Sequence, residues 1–109
     1  MNLALVENRN GELLTNSKII AECTGNEHKA VIQLIDRHIK LFKKQPTFEM
    51  VAGYNNSQVR VALLDEQQAT ALITLMRNSE KVIAFKFSMV EEFFRMREAL
   101  TEISTPALP

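Results

Sequence analysis

The order of apolar and polar positions lays out the chain before any composition is considered. Residues 3–8 and 12–15 are short apolar runs around Asn10-Gly11, a pair that tolerates the positive φ angles of a tight turn. They are expected to form a hairpin. Thr15 or Ser17 then caps a short helix, "SKIIAEC", that buries Ile19, Ile20 and Cys23 and ends at Gly25. From about Glu27 to Phe42, Val31, Leu34, Ile35, His38, Ile39 and Phe42 recur at steps of three and four, the stripe of one continuous helix that Pro46 stops.

"FEMVAGYNNSQVRVALL" alternates instead. Phe48, Met50, Ala52 and Tyr54 are expected on one face beside Val59, Val61 and Leu63, with Asn55-Asn56-Ser57 as the turn and Arg60 pointing away from the core. Asp65 and Gln68 have capping-box spacing, and Ala69, Leu72, Ile73 and Met76 make the apolar face of the helix that follows. Asn78-Ser79 breaks it. The last helix, about Glu80 to Leu100, carries two stripes: Val82, Phe85, Met89, Phe93, Met96 and Leu100, then Ile83, Phe87, Val90 and Phe94. Either this helix is central to the monomer core, or Phe87, Val90, Phe94 and Arg97 meet a second subunit. The fold class is therefore α+β: a winged helix-turn-helix-like domain with an N-terminal β-hairpin, a central β-ribbon and two C-terminal helices. One domain spans residues 1–103, with 104–109 a flexible tail.

Composition narrows the class rather than the function. The chain has 109 residues, 46% apolar and 24% charged, with zero net charge, the profile of one soluble globular domain. No apolar run approaches the ~20 residues of a membrane span, and the start lacks the basic region of a signal peptide. The single cysteine, Cys23, has no internal partner and no metal-ligand spacing around it, so it reads as a small filler in a reducing compartment. Charge is uneven, however. Residues 28–44 hold Lys29, Arg37, Lys40, Lys43 and Lys44 against Asp36 alone, whereas 65–102 holds seven acids and five bases. The basic stripe is either a solvated helix face or a polyanion footprint.

Helix, glycine and helix give the stripe a second meaning. A helix-turn-helix needs a small residue in its first helix, a glycine in the turn and apolar residues inside the second, because the two backbones approach closely. Ile20, Ala21, Gly25, Val31 and Leu34 satisfy that spacing; Thr24 and Asn26 depart from it, and any tight helical hairpin wants similar residues. The outer face of the second helix then offers His28, Lys29, Gln33 and Arg37 for base edges, with Lys40, Lys43, Lys44 and Arg60 for phosphates. Glu27 is suited to a cap or to accepting from cytosine. His38, on the apolar stripe, is expected to be a satisfied core histidine. Neither metal nor cofactor is expected, since the two histidines lie ten residues apart on different faces, and no phosphate loop or acid pair suggests an enzyme.

These residues also resemble a known family. "LTNSKIIAECTGNEHKAVIQLID" is similar to the opening of the Rha family of phage regulatory proteins, a hairpin leading into (S/T)xxIAxxxGxxHxxVxxxI; Ser17, Ile20, Ala21, Gly25, His28, Val31 and Ile35 occupy those positions. "LDEQQATALITLMRNSEKVIAFKFSMVEEFFRMR" is similar to the second family block at Glu66, Gln67, Ala69, Leu72, Arg77, Asn78, Val82, Phe85 and Lys86. The likeness covers residues 3 to 97. It implies a cytoplasmic phage or prophage regulator with a winged-helix-like DNA-binding domain, with His28 and the Arg77-Asn78 pair as its functional positions. Asn26 stands where the family has lysine. The further C-terminal domain of many members is not reached here, so an activity housed there is expected to be absent or supplied by a partner. The expected partners are double-stranded DNA and a second copy in a homodimer; the alternative is an antirepressor or accessory factor that binds a phage or host regulatory protein.

Overall fold

In the computed structural model the described residues are 4–104, with side chains described to 101. Of the expected tail, 104–109, residue 104 is the last of the final helix and 105–109 lie outside the described residues. Strands β1 (Glu7–Arg9) and β2 (Glu12–Asn16) form the expected hairpin, closed by Asn10 at φ 55° and Gly11 at φ 91°. Helices α1 (Ser17–Thr24) and α2 (His28–Arg37) follow, then strands β3 (Thr47–Ala52) and β4 (Gln58–Leu64), then α3 (Glu66–Thr74) and the 25-residue α4 (Glu80–Ser104). The fold is α+β and winged-helix-like.

Hairpin and ribbon do not stay separate. β2 pairs with β4 through Thr15–Leu64 and Asn16–Leu63, giving one antiparallel sheet in the order β1-β2-β4-β3. Arg9 on one edge strand donates to both carboxylate oxygens of Glu49 on the other, at 3.0 and 3.2 Å, so this ion pair bridges the two edges of the sheet. On that face Leu14, Val61 and Leu63 are buried. On the opposite face Ala62 and Leu64 join Ile20, Val31, Ile35, Leu72, Phe85, Met89 and Phe93 in the main core. Fully burying a side chain such as Phe93 or Leu64 contributes about 1.5–3 kcal/mol.

Four local expectations are corrected. The cap of α1 is neither Thr15 nor Ser17 but Asn16, whose side chain accepts from Ile19 N–H at 2.9 Å. Alternation along β2 turns Thr15 into the core and leaves Asn16 free to cap. α2 ends at Arg37 rather than Phe42: His38 leaves helical geometry (φ −112°, ψ 21°), and Ile39–Leu41 form a tighter 3-10 turn that still buries Phe42. Pro46 stops nothing, since the helix has ended earlier. His38 is half-buried, and its ring makes no hydrogen bond among the described residues, so it is not a satisfied core histidine.

The fourth concerns the ribbon's register. Phe48 faces Ala62, Met50 faces Arg60 and Ala52 faces Gln58; Val59 and Val61 sit on the other face, opposite Val51 and Glu49. The loop is longer than the expected turn. It spans Gly53–Ser57, closed by Gly53 N–H to Ser57 O at 2.8 Å, and a one-residue slip reverses every face. Tyr54 sits exposed in this loop rather than on the sheet. Gly53 is required there because a Cβ would lie 2.6 Å from Val59 Cγ2.

Candidate functional site

Gly25 adopts the left-handed conformation (φ 74°) that closes α1, its N–H donating to Ala21 O, and the chain turns directly into α2. Val31 and Ile35 anchor the inner face of α2 in the core. Lys29, Gln33 and Arg37 consequently lie together on its exposed outer face, as the sequence suggested. Glu27 occupies the cap position of α2, and its side chain makes no capping bond.

His28 is turned inward instead. Its Nε2 is 2.8 Å from Ser17 Oγ, and that oxygen also accepts Ala62 N–H at 2.9 Å. The bond from Ala62 continues the β4 ladder beyond the end of β2, where Ser17 replaces a strand partner. The Ser17 oxygen keeps a second lone pair beside the one that accepts Ala62 N–H, so the Ser17–His28 bond forms with either tautomer of the ring. Burial, reinforced by the charge of Lys18, lowers the His28 pKa from its ordinary value. Ser17 is fully buried, so this serine–histidine pair offers no nucleophile to solvent. It joins the starts of both helices to the sheet. The histidine expected to face a groove is thus a structural bridge.

The phosphate candidates divide. Lys40 and Lys43 are exposed beyond α2 and make no ion pair among the described residues. Lys44 is held near Glu12 (3.4 Å) and Asp65 (3.8 Å). Arg60 is bound to Asp36 of α2, and its guanidinium stacks 4.6 Å above the Phe48 ring. Arg60 therefore ties the ribbon to the second helix and is not a free cation. Arg97, assigned to a subunit interface, is paired with Glu66 of α3 and lies 6.0 Å from the Phe94 ring centre.

Two cations join this surface from far along the chain. A cleft of about 780 Å³ lies between α2, the turn after Thr24 and the junction of α3 with α4; Gln33 and Arg37 line it from one side, Arg77 and Lys81 from the other. Arg77 and Lys81 are both exposed. No periodic signal in the sequence brings Arg77 beside α2, because their meeting depends on how α3 and α4 pack. Lys29, Arg37, Lys40, Lys43, Arg77 and Lys81 thus form the cationic surface around α2.

The family model for the phage regulatory protein Rha matches residues 15–98, from the end of β2 to the later turns of α4. The chain belongs to the Rha family. Among curated proteins and solved structures no significant match was found. Membership makes this Rha-family chain a phage regulatory protein, and the matched span includes α1, α2, the ribbon and the Arg77 junction.

Among the described residues no group of His, Cys, Asp and Glu is arranged to hold a metal, and no helix is long and apolar enough to cross a membrane. Cys23 is half-buried, and burial, with the nearby Glu22 charge, raises its thiol pKa and keeps it protonated.

Proposed function

We propose that this Rha-family chain regulates phage genes by binding double-stranded DNA, with α2 in the major groove. The observation that carries the reading is the outer face of α2. Lys29, Gln33 and Arg37 form one exposed ridge, with Lys40 and Lys43 beyond its end and Arg77 and Lys81 across the adjoining cleft. A ridge of amide and cationic donors suits base edges, and the surrounding cations suit phosphates. Arg60 is expected to contribute less, since Asp36 already neutralises it.

Fluorescence anisotropy with phage-derived and random duplexes tests this. Four to six phosphate contacts give a log–log salt slope of about −4 to −5. Arg37→Ala should weaken binding and, if it meets a phosphate, make that slope shallower by about 1. An absence of binding at low salt would sink the proposal.

The second reading is a factor that captures another regulatory protein, supported by zero net charge and the exposed apolar face of α4. It predicts indifference to DNA, and capture that survives both added salt and Arg37→Ala.

A further inference from the structure

One face of α4 has no covering among the described residues. Ile83, Phe87, Val90 and Phe94 are 42%, 68%, 40% and 56% exposed, while Val82, Phe85, Met89 and Phe93 on the other side are buried. The exposed residues are spaced four, three and four apart, the alternation of a seam between two helices. A membrane-surface helix would instead carry a broad apolar arc bordered by lysines.

The charges beside the seam are sorted. Lys86 borders one side; Glu91 and Glu98 border the other, and all three are exposed with no ion partner among the described residues. In a parallel helix pair each side of the seam meets the opposite side of the partner helix, and a residue faces the partner residue five positions on. Lys86 then meets the partner's Glu91, and the two-fold axis makes the contact twice. Antiparallel pairing sets like side against like side, acid against acid.

We propose that α4 pairs in parallel with α4 of a second copy, with Ile83, Phe87, Val90 and Phe94 as the seam and Lys86 of each copy facing the partner's Glu91. This rests on α4 alone and stands whether or not the chain binds DNA. It does carry a consequence for the DNA reading. The cleft beside α2 is lined by Glu80, Lys81 and Val82, so α2 sits at the N-terminal end of α4. A parallel pair brings both α2 helices to the same end, as a two-fold DNA site requires; an antiparallel pair sends them to opposite ends.

Sedimentation of the full chain without DNA should show a dimer. Phe87→Glu should weaken it more than tenfold, because it places a charge in the seam. Lys86→Glu should weaken it less, and adding Glu91→Lys should restore it. Circular dichroism of each variant separates loss of pairing from loss of folding.

Orientation is read by Ile83→Cys in a Cys23→Ser background. In parallel the two thiols adjoin and oxidise to a covalent dimer. In an antiparallel pair residue 83 lies opposite 94, some eleven residues or ~16 Å from its counterpart, well beyond disulfide reach of about 7 Å. A monomer at tens of micromolar, or a dimer indifferent to Phe87→Glu, overturns the interface. A dimer that Phe87→Glu breaks and Ile83→Cys fails to cross-link overturns the parallel orientation.

Discussion

Thr15 carries the one buried side-chain oxygen that has no hydrogen-bond partner among the described residues. It is a strand residue paired with Leu64, and valine has its shape without the hydroxyl. Thr15→Val should therefore raise stability by about 1 kcal/mol, read as a higher urea midpoint at unchanged slope; a lower midpoint would mean that the hydroxyl is bonded. His28 presents the opposite case, a polar atom whose partner is fixed. Its folded pKa is lowered by burial and then by Lys18, so the unfolded chain binds the proton more readily. The stability contributed by the neutral ring is complete above the unfolded value, about 6.5, and is lost as pH falls from there through the folded value. Urea midpoints of wild type and His28→Asn at pH 7.5 and 5.0 should differ more at the higher pH. An equal difference at both would uncouple His28 from acid sensitivity. Ser17 was legible only as a candidate cap, because its bonds reach His28 and Ala62, eleven and forty-five residues away.

At the scale of elements, the reciprocal capping box of α3 was read correctly from its spacing, whereas the cap of α1 fell to Asn16 because strand alternation turns Thr15 inward. Asp65 Oδ1 accepts Gln68 N–H and Gln68 Oε1 accepts Asp65 N–H, each at 2.8 Å, the reciprocal box expected from their spacing. Gln68 has a further role, since its Nε2 donates to Lys44 O and pins the loop before β3 to the start of α3. Asp65→Ala should cost about 1 kcal/mol, measured by urea unfolding, with α3 frayed at its start in amide exchange. A loss below a few tenths would mean that Gln68 holds the end alone. Apolar periodicity located α3, although the helix stops at Thr74, short of Met76 and of the expected break at Asn78-Ser79, and it located both stripes of α4, because 3.6-residue spacing is a local property of the helix. The same periodicity overran α2: a 3-10 turn also puts apolar side chains inward, so Phe42 kept the stripe going after the helix had stopped. In the ribbon, alternation identified two strands but not their register, which depends on the five-residue loop.

For the molecule as a whole, pattern alone established a hairpin, two helices about a glycine, a ribbon and two further helices. Each follows from residues near one another: positive φ at Asn10-Gly11, the left-handed Gly25, alternation in the strands and helical steps in α3 and α4. Family membership was legible too: the motifs that carry the resemblance over residues 3 to 97 fall largely within the span 15–98 that the family model matches. The outer ridge of Lys29, Gln33 and Arg37 could be read because burying Val31 and Ile35 dictates which side of α2 faces out. Tertiary structure alone decided the pairing of β2 with β4, the ion pair that joins Arg9 to Glu49, and the loss of Arg60 to Asp36. It also turned His28 inward, set Arg77 and Lys81 across from Arg37, and left one stripe of α4 exposed while burying the other. The division has one physical cause. Backbone propensity and amphipathic spacing act over a few neighbouring residues, whereas a side chain's partner depends on which distant elements packing brings beside it.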